Sequence, residues 1–413
     1  MKKLRVGIFG INRGSDNYAS IKENNAEIVA LCDKNTKLFD KAKKEIGDVP
    51  MFTDFDEFIN QDMDVLYLAN YFPEHTPYAV KALEKNINVI CECIPCSTMA
   101  ECVALVEAAE KSNAVYMLAE NYPYMLFNQE MQKVYQGGTL GKILYAEGEY
   151  NHPVKPTDTS FIARYYDSDK HWRNYLPATY YLTHSLGPLM MATHSNPIRV
   201  TAMPVFAPKP DYAYTASRVG DNAAIVTCLN DDNSVYKFVG CSHFGAHGNS
   251  YRLACEKGQI ENLRGTDGEV MLRYNDWDIP EGMEEINRYT PKHNPEDAEM
   301  AERAGHDGSD YYMFKDYFDC LRTGRKPYLD VYVAVRMASV GILAHRSLLE
   351  KGVPYDIPDF HNKGDREKFR DDTLSPFYYS DGSVPTLPCC SVRDYRPSDY
   401  MIEKFNENIG KNW

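Results

Sequence analysis

The chain has 413 residues, 44% of them apolar, and a net charge of −14. That length suggests two or three domains with sizeable cores, and the acidic balance argues against nucleic acid or an anionic membrane as a partner. No apolar run reaches the roughly 18 residues of a membrane-spanning helix, and Met1-Lys2-Lys3 passes straight into a strand without a leader-like segment, so a cytoplasmic protein is expected.

Leu4 to Phe9 is a short apolar run of the kind a buried strand makes. Gly10-Ile11-Asn12-Arg13-Gly14-Ser15 follows, then a helix-length segment, then a second apolar run, Ile28 to Cys32, ending in Asp33. This is the layout of a dinucleotide-binding βαβ unit. The turn brings backbone N–H groups to a pyrophosphate, and the acid about 20 residues on accepts from a ribose 2′-OH. A 2′-phosphate would be repelled there, which favours NAD. Asn12 and Ser15 replace two of the expected glycines; Asn is among the few residues that tolerate a left-handed backbone, so the turn can survive. A strand–turn–helix that holds no nucleotide is the bland alternative, and Asp33 tips the reading towards the dinucleotide.

Strands and helices go on alternating. Helices are expected over Lys37–Ile46, Asp54–Asn60, Pro77–Lys85 and Met99–Lys111, and strands over Val65–Ala69, Asn88–Cys91 and Val115–Leu118. A doubly wound parallel sheet gathers ligands at the carboxyl ends of its strands. Those ends carry Gly10, Asn12, Arg13, Gly14, Asp33, Asn70, His75, Glu92 and Asn121 as candidate cofactor contacts, with Glu120 placed to orient substrate.

After Asn121 the pattern changes. Asn128 to Tyr135 reads as a helix, and strands follow over Ile143–Tyr150, Val200–Phe206, Ala223–Leu229, Ser234–Cys241, Tyr251–Glu256 and Val270–Tyr274. An open, mostly antiparallel sheet is the natural reading, closed by helices at Tyr311–Thr323 and Val331–Lys351. The expected domains are 1–122, 123–360 and a polar extension, 361–413, wrapped over the body or a neighbouring subunit.

In the second domain Tyr181 and His184 are three apart, so a helix there would point both to one face. Such a pair can deprotonate a sugar hydroxyl while hydride leaves its carbon for a nicotinamide. Plain core packing is the alternative. Tyr150 and His152 share one face of a strand that could line the same pocket. Trp172 and Arg173 could stack on and hydrogen-bond a sugar, or simply anchor a surface loop. His152, His171 and His184 show no tight ligand spacing, nor do Cys91, Cys93, Cys96 and Cys102, so no metal is expected and the cysteines read as packing. The eleven scattered cysteines fit reduced thiols.

Residues 1 to 360 resemble the Gfo/Idh/MocA oxidoreductase family. The likeness rests on Val65 to Asn70 with His75, on Val89-Ile90-Cys91-Glu92, on Gly138-Thr139-Leu140-Gly141-Lys142-Ile143, on His306 to Tyr311 and on Asp330 to Ala334. It implies an NAD-binding Rossmann domain, a second α/β domain and a homodimer or homotetramer built on the open sheet. The family's E-K-P lysine, usually an acid/base, is absent: Cys93 stands in its place and Ile94 in that of the proline. The NAD-dependent glycosidases of glycoside hydrolase family 109 lack it too. Tyr181-Leu182-Thr183-His184-Ser185-Leu186-Gly187-Pro188 resembles their Y-P-T-H-G-L-G-P. The resemblance implies a sugar or glycoside substrate, cleaved through transient oxidation at C3, elimination, water addition and re-reduction. Two alternatives stay open: a plain NAD-dependent sugar or polyol dehydrogenase, and an NAD-binding paralogue without catalysis.

Overall fold

The computed structural model describes residues 2–215, 219–242 and 245–411. Its first sheet is built from β1 (Leu4–Phe9), β2 (Ala26–Cys32), β3 (Met51–Phe52), β4 (Val65–Leu68), β5 (Asn88–Cys91) and β6 (Tyr116–Leu118). They run in the order β3-β2-β1-β4-β5-β6, every pair parallel. This order puts a switch point between β1 and β4, where the chain winds first one way and then the other and leaves a crevice. Val65 to Leu68 are all buried, as a strand covered on both faces requires. The helix Met99–Lys111 starts on a capping box between Thr98 and Glu101.

The glycine turn differs from the sequence expectation. Gly10, not Asn12, holds the left-handed backbone, with φ 98°. A Cβ there would lie 2.2 Å from the Ala69 carbonyl, so only glycine lets the turn approach β4 so closely. Asn12 sits inside the short helix Ile11–Gly14, and its tolerance for a left-handed backbone is not used. A 3-10 turn and a second helix, Tyr18–Glu23, complete the crossover to β2.

The second sheet contains β7 (Ile143–Asn151), β8 (Pro197–Val205), β9 (Ala223–Asn230), β10 (Val235–Ser242), β11 (Gly248–Cys255), β12 (Gly258–Asn262), β13 (Val270–Tyr274), β14 (Ile286–Tyr289) and β15 (Tyr355–Asp356). Their order is β14-β13-β12-β11-β7-β10-β9-β8-β15. Only β7 and β10 pair in parallel; the other pairs are antiparallel. The helix Thr183–Thr193 lies on the face of β7, and a Cβ at Gly148 would stand 2.0 Å from the Ser185 carbonyl. That close approach brings the start of the helix against the Tyr150 end of β7. The helix Val331–Leu349 packs against both β8 and the helix Met99–Lys111, and one hydrophobic core runs through both halves.

The polar extension wraps over its own chain. Arg346 makes a two-bond pair with Asp372 at 2.6 and 2.7 Å. Glu74 accepts from the backbone N–H and hydroxyl of Ser380 at 2.6 and 3.0 Å. The short helix Asp399–Asn406 buries Phe405 against Ile162 and Tyr166. No helix among the described residues is long and apolar enough to cross a membrane.

Candidate active site

A cavity of about 380 Å³ opens at the carboxyl ends of the parallel strands, roofed by the segment between β7 and the helix Thr183–Thr193. That volume falls within the range of small-molecule sites. Gly10, Asn12, Arg13, Asp33, Asn70, His75, Glu92, Asn121, Tyr150, His152, Trp172, Arg173, Tyr181 and His184 all line it. Gly14 does not: it lies beneath the turn, where a Cβ would meet Ile8 at 2.5 Å. Glu120 does not either; it is fully buried behind His184.

The turn and strand ends fit a dinucleotide. Asp33 accepts from the Ile11 N–H at 2.7 Å on one oxygen and from the Asn35 N–H at 2.8 Å on the other. A carboxylate has about four acceptor sites, so capacity remains for a ribose. Burial raises the Asp33 pKa, against the pull of these backbone bonds. Asn70 Oδ1 is buried and has no hydrogen-bond partner, a vacancy that a ligand donor would fill. Other expected contacts serve each other. Arg13 Nε donates to Glu92 Oε1 at 2.8 Å, and the Tyr67 hydroxyl donates to the same oxygen at 2.5 Å. His75 Nδ1 is 2.7 Å from the Ile94 carbonyl and Nε2 is 3.3 Å from that of Asn70. Burial lowers the His75 pKa, and the neutral ring it favours has one N–H, which the nearer Ile94 carbonyl accepts.

The chemistry gathers around His184. Its Nδ1 is 2.7 Å from Glu120 Oε1. The carboxylate also accepts from the Tyr122 N–H at 3.2 Å and from the Cys93 thiol at 3.1 Å. Burial alone would raise the Glu120 pKa; the charge and hydrogen bond of His184, helped by Thr183 and Cys93, outweigh it and hold the carboxyl below its ordinary value. Burial and the Glu120 charge push the Cys93 pKa well up, so the sulfur keeps its proton. Cys93 is therefore more than the packing residue the sequence suggested: it is a neutral donor to the carboxylate that fixes His184. Sγ, Oε and Nδ1 lie within 4.8 Å of one another. Their separations of 2.7 and 3.1 Å are hydrogen-bond lengths, whereas ligands about 2.0–2.3 Å from one tetrahedral ion stand roughly 3.3 Å or more apart.

Three tyrosines enclose the imidazole. Tyr122 stacks on it at 4.3 Å between centroids, and Tyr150 and Tyr181 meet it edge-on at 4.8 and 4.9 Å. Tyr181 precedes the helix, whose first residue is Thr183, so a turn and not a helix face delivers it to the cavity. Trp172, Phe72 and Tyr181 form a stack, with Phe72 centred 4.6 Å from Trp172 and 5.5 Å from Tyr181. One face of Trp172 is thus covered, and Arg173 sits over the same indole at 4.4 Å. His152 faces His247 at 4.8 Å; burial, with the neighbouring His247, lowers its pKa.

Residues 4–120 match the oxidoreductase family with an NAD-binding Rossmann fold, and residues 272–366 match the C-terminal domain of glycosyl hydrolase 109. Residues 4–120 thus carry the NAD-binding Rossmann fold of the Gfo/Idh/MocA oxidoreductases, and the chain is an NAD-dependent oxidoreductase. A glycosyl hydrolase family 109 protein of Saccharopolyspora erythraea is 25% identical, over 86% of this chain and 83% of its own length. One from Solibacter usitatus is 24% identical, over 86% and 88%. Among solved structures, a levoglucosan dehydrogenase in complex with NADH and L-sorbose superposes with a TM-score of 0.73 at 17% identity, covering 87% of this chain and all of that one. An aldose–aldose oxidoreductase from Caulobacter crescentus gives 0.68 at 18%, covering 86% and 99%. At those identities the structures bear on the fold alone.

Several cavity groups escaped the sequence reading, Tyr122, Phe72 and His306 among them. His306 lines the cavity, hydrogen-bonded to the buried Asp310. In the stretch His306 to Tyr311, two titratable residues four apart, beside glycines, are a usable signal. Phe72 carried none: an aromatic after a strand is ordinary core.

Proposed function

We propose that the enzyme acts on a sugar or glycoside, and that it cleaves glycosides through transient oxidation of the C3 hydroxyl. The observation that carries this reading is the buried Glu120–His184 pair, which presents an imidazole inside a ring of tyrosines at the end of β6. Glycosyl hydrolase family 109 relatives matched over most of the chain support it. Bound NAD+ supplies the acceptor for the C3 hydride and returns that hydride at the end of the cycle.

His184 Nδ1 is occupied by Glu120, so Nε2 is the nitrogen that faces substrate. Nε2 takes the proton of the C3 hydroxyl as hydride leaves the carbon. Glu120 touches no substrate; it is a positioning residue that fixes the tautomer and stabilises the imidazolium. The C3 ketone acidifies the C2 proton. That proton passes through a neighbouring phenol to the departing C1 oxygen, water adds with its hydroxyl on C1 and its proton on C2, and the proton held by His184 returns to the C3 oxygen as hydride comes back. Tyr150 and Tyr181 place phenol groups beside the imidazole, where they can relay these protons. The enclosing Trp172, Phe72 and Arg173 shield the site from water. Two carboxylates flanking the glycosidic bond, needed by ordinary glycosidases, are not required by this route.

A panel of aryl glycosides with catalytic NAD+ tests the reading. Aglycone released without net NADH supports it; NADH formed in proportion to product makes the enzyme a dehydrogenase. We further propose that the protein is cytoplasmic, since ten described cysteines are all free thiols, and that it assembles through the open face of the second sheet.

A further inference from the structure

One polar pair on the cavity wall has no part in the chemistry above. His306 lines the cavity together with Gly10, Arg13, Glu92 and Tyr122. Its Nδ1 is 2.9 Å from Asp310 Oδ2. Asp310 is fully buried, and its other oxygen accepts from Asn121 Nδ2 at 2.7 Å. The pair therefore ties the second half of the chain to the segment after β6. With Nδ1 engaged, Nε2 is the polar atom His306 has left for the cavity. The backbone here is strained: His306 and Asp307 have φ of 51° and 53°, and Gly308 follows at 86°. Residues other than Gly, Asn and Asp hold such angles uncommonly, as His306 does here, and they recur at ligand clamps.

The charges around the glycine turn give this residue a task. Arg13, the cation of the turn, is already engaged by Glu92 at 2.8 Å and by Asp16 at 3.6 Å. On the cavity wall around the turn, Asp16, Asp33 and Glu92 stand against Arg13 and Lys34, three carboxylates to two cations. His306 brings a compensating charge from the other wall. Its hydrogen bond and ion pair with Asp310 raise its pKa in spite of burial.

We propose that His306, held by Asp310, is a cofactor-binding residue whose Nε2–H donates to the anionic diphosphate–ribose of the bound dinucleotide. The inference rests on NAD binding alone and stands whichever reaction the sugar undergoes. The titratable and charged groups facing His306 are Asp310 from its own segment, Arg13 from the turn after β1, Glu92 from the end of β5 and Tyr122 after β6. The helix Ala298–Glu302 presents the methyl group and the carbonyl of Ala301 to Gly308, and His293 lies against the same glycine. An anionic ligand favours the protonated ring. Affinity is therefore greatest at acid pH and falls as pH rises past about 6.5, the ordinary histidine value, through the raised one.

Calorimetric titration of the full chain with NAD+, ADP-ribose and nicotinamide riboside, near pH 6 and pH 9, tests this. The unaltered protein binds NAD+ and ADP-ribose on the order of 10-fold more tightly near pH 6, the worth of one charge-assisted hydrogen bond. His306→Gln binds both as weakly near pH 6 as the unaltered protein does near pH 9. Nicotinamide riboside, which has no phosphate, binds alike to both proteins. Unchanged ADP-ribose affinity and pH dependence in His306→Gln overturn the proposal, as does a loss confined to nicotinamide riboside. Should His306→Gln fold poorly, NMR titration of the His306 ring in the unaltered protein decides: its pKa rises on adding ADP-ribose, and an unmoved value refutes the contact.

Discussion

Replacing Glu120 by glutamine separates the charge of the buried pair from its shape. The amide has the size of the carboxyl group. Its single carbonyl oxygen can take the place of Oε1, where it still accepts from the Tyr122 N–H and from His184 Nδ1, now 3.2 and 2.7 Å away, while its NH2 takes the place of Oε2 beside the Cys93 sulfur, now 3.1 Å away. The hydrogen bonds to His184 and Tyr122 survive, and the negative charge that stabilises an imidazolium is gone. The charge lost is worth about 4 kcal/mol to an imidazolium some 4 Å away at an effective dielectric near 20, close to 10³ in rate. Glu120→Gln should therefore lower turnover by roughly 10²–10⁴-fold, within the usual worth of general acid–base catalysis. The Kd for NAD+ should move by less than about 3-fold, because Glu120 does not line the cavity. Pre-steady-state hydride transfer gives the first quantity and calorimetry the second. The double variant with His184→Ala should be no slower than His184→Ala alone, since both changes remove one function. Turnover above half of the original, or additive losses in the double variant, would refute the reasoning.

Tyr181→Phe and His184→Ala should each cost roughly 10²–10⁴-fold in turnover with little change in NAD+ affinity; normal turnover in both would remove them from the chemistry. Cys93→Ala takes one donor from a wholly buried carboxylate, which should cost about 1–3 kcal/mol in urea-unfolding stability, and Cys93→Ser, which keeps a donor, should cost less. Asp33→Ala should raise the NAD+ Kd by more than the NADP+ Kd, because the acid serves a ribose hydroxyl and repels a phosphate; competitive binding would show it. His345 is buried, and burial outweighs its 2.8 Å bond to the Pro388 carbonyl and lowers its pKa to about 4. Between about pH 6.5 and 4 the unfolded chain thus binds the extra proton, and stability falls with falling pH by up to about 3 kcal/mol from this group. His345→Gln should flatten that part of the pH dependence, measured as the urea midpoint.

The Rossmann half was largely legible. Its central strand β4 is fully buried and reads as an unbroken apolar run, and the capping box at Thr98 marks the helix start at Met99. The second sheet was legible where burial alternates, as along β7, and obscure at its edge. Neither β12, opened by a glycine, nor β14, with Ile286 exposed, shows the apolar face that alternation depends on. The cavity wall was legible where a polar residue closes a strand or opens a helix: Asp33 after β2 and His184 in the helix Thr183–Thr193 line it, and Glu120 after β6 lies behind it. The site was opaque where meaning comes from contacts across the chain. Cys93 meets Glu120 27 residues on, and Asn121 meets Asp310 189 residues on, distances over which no local pattern runs. Asn12 misled because the strained backbone falls on Gly10, whose close contact lies on β4.

The absence of the lysine and the presence of the Glu120–His184 pair are two sides of one arrangement. A lysine at position 93 would set an ammonium beside Glu120, and the carboxylate would then divide its charge between two cations. The Cys93 thiol gives Oε2 a donor without a charge, so the electrostatic benefit of the buried carboxylate goes to His184 alone. A site that had merely lost its base would leave a fully buried carboxylate short of partners, at a cost of several kcal/mol. Here His184, Cys93 and the Tyr122 N–H satisfy it, and its pKa is held down and not raised. Such an environment maintains a charge inside the protein, and a maintained charge against a cavity-facing imidazole is what proton transfer from a sugar hydroxyl requires.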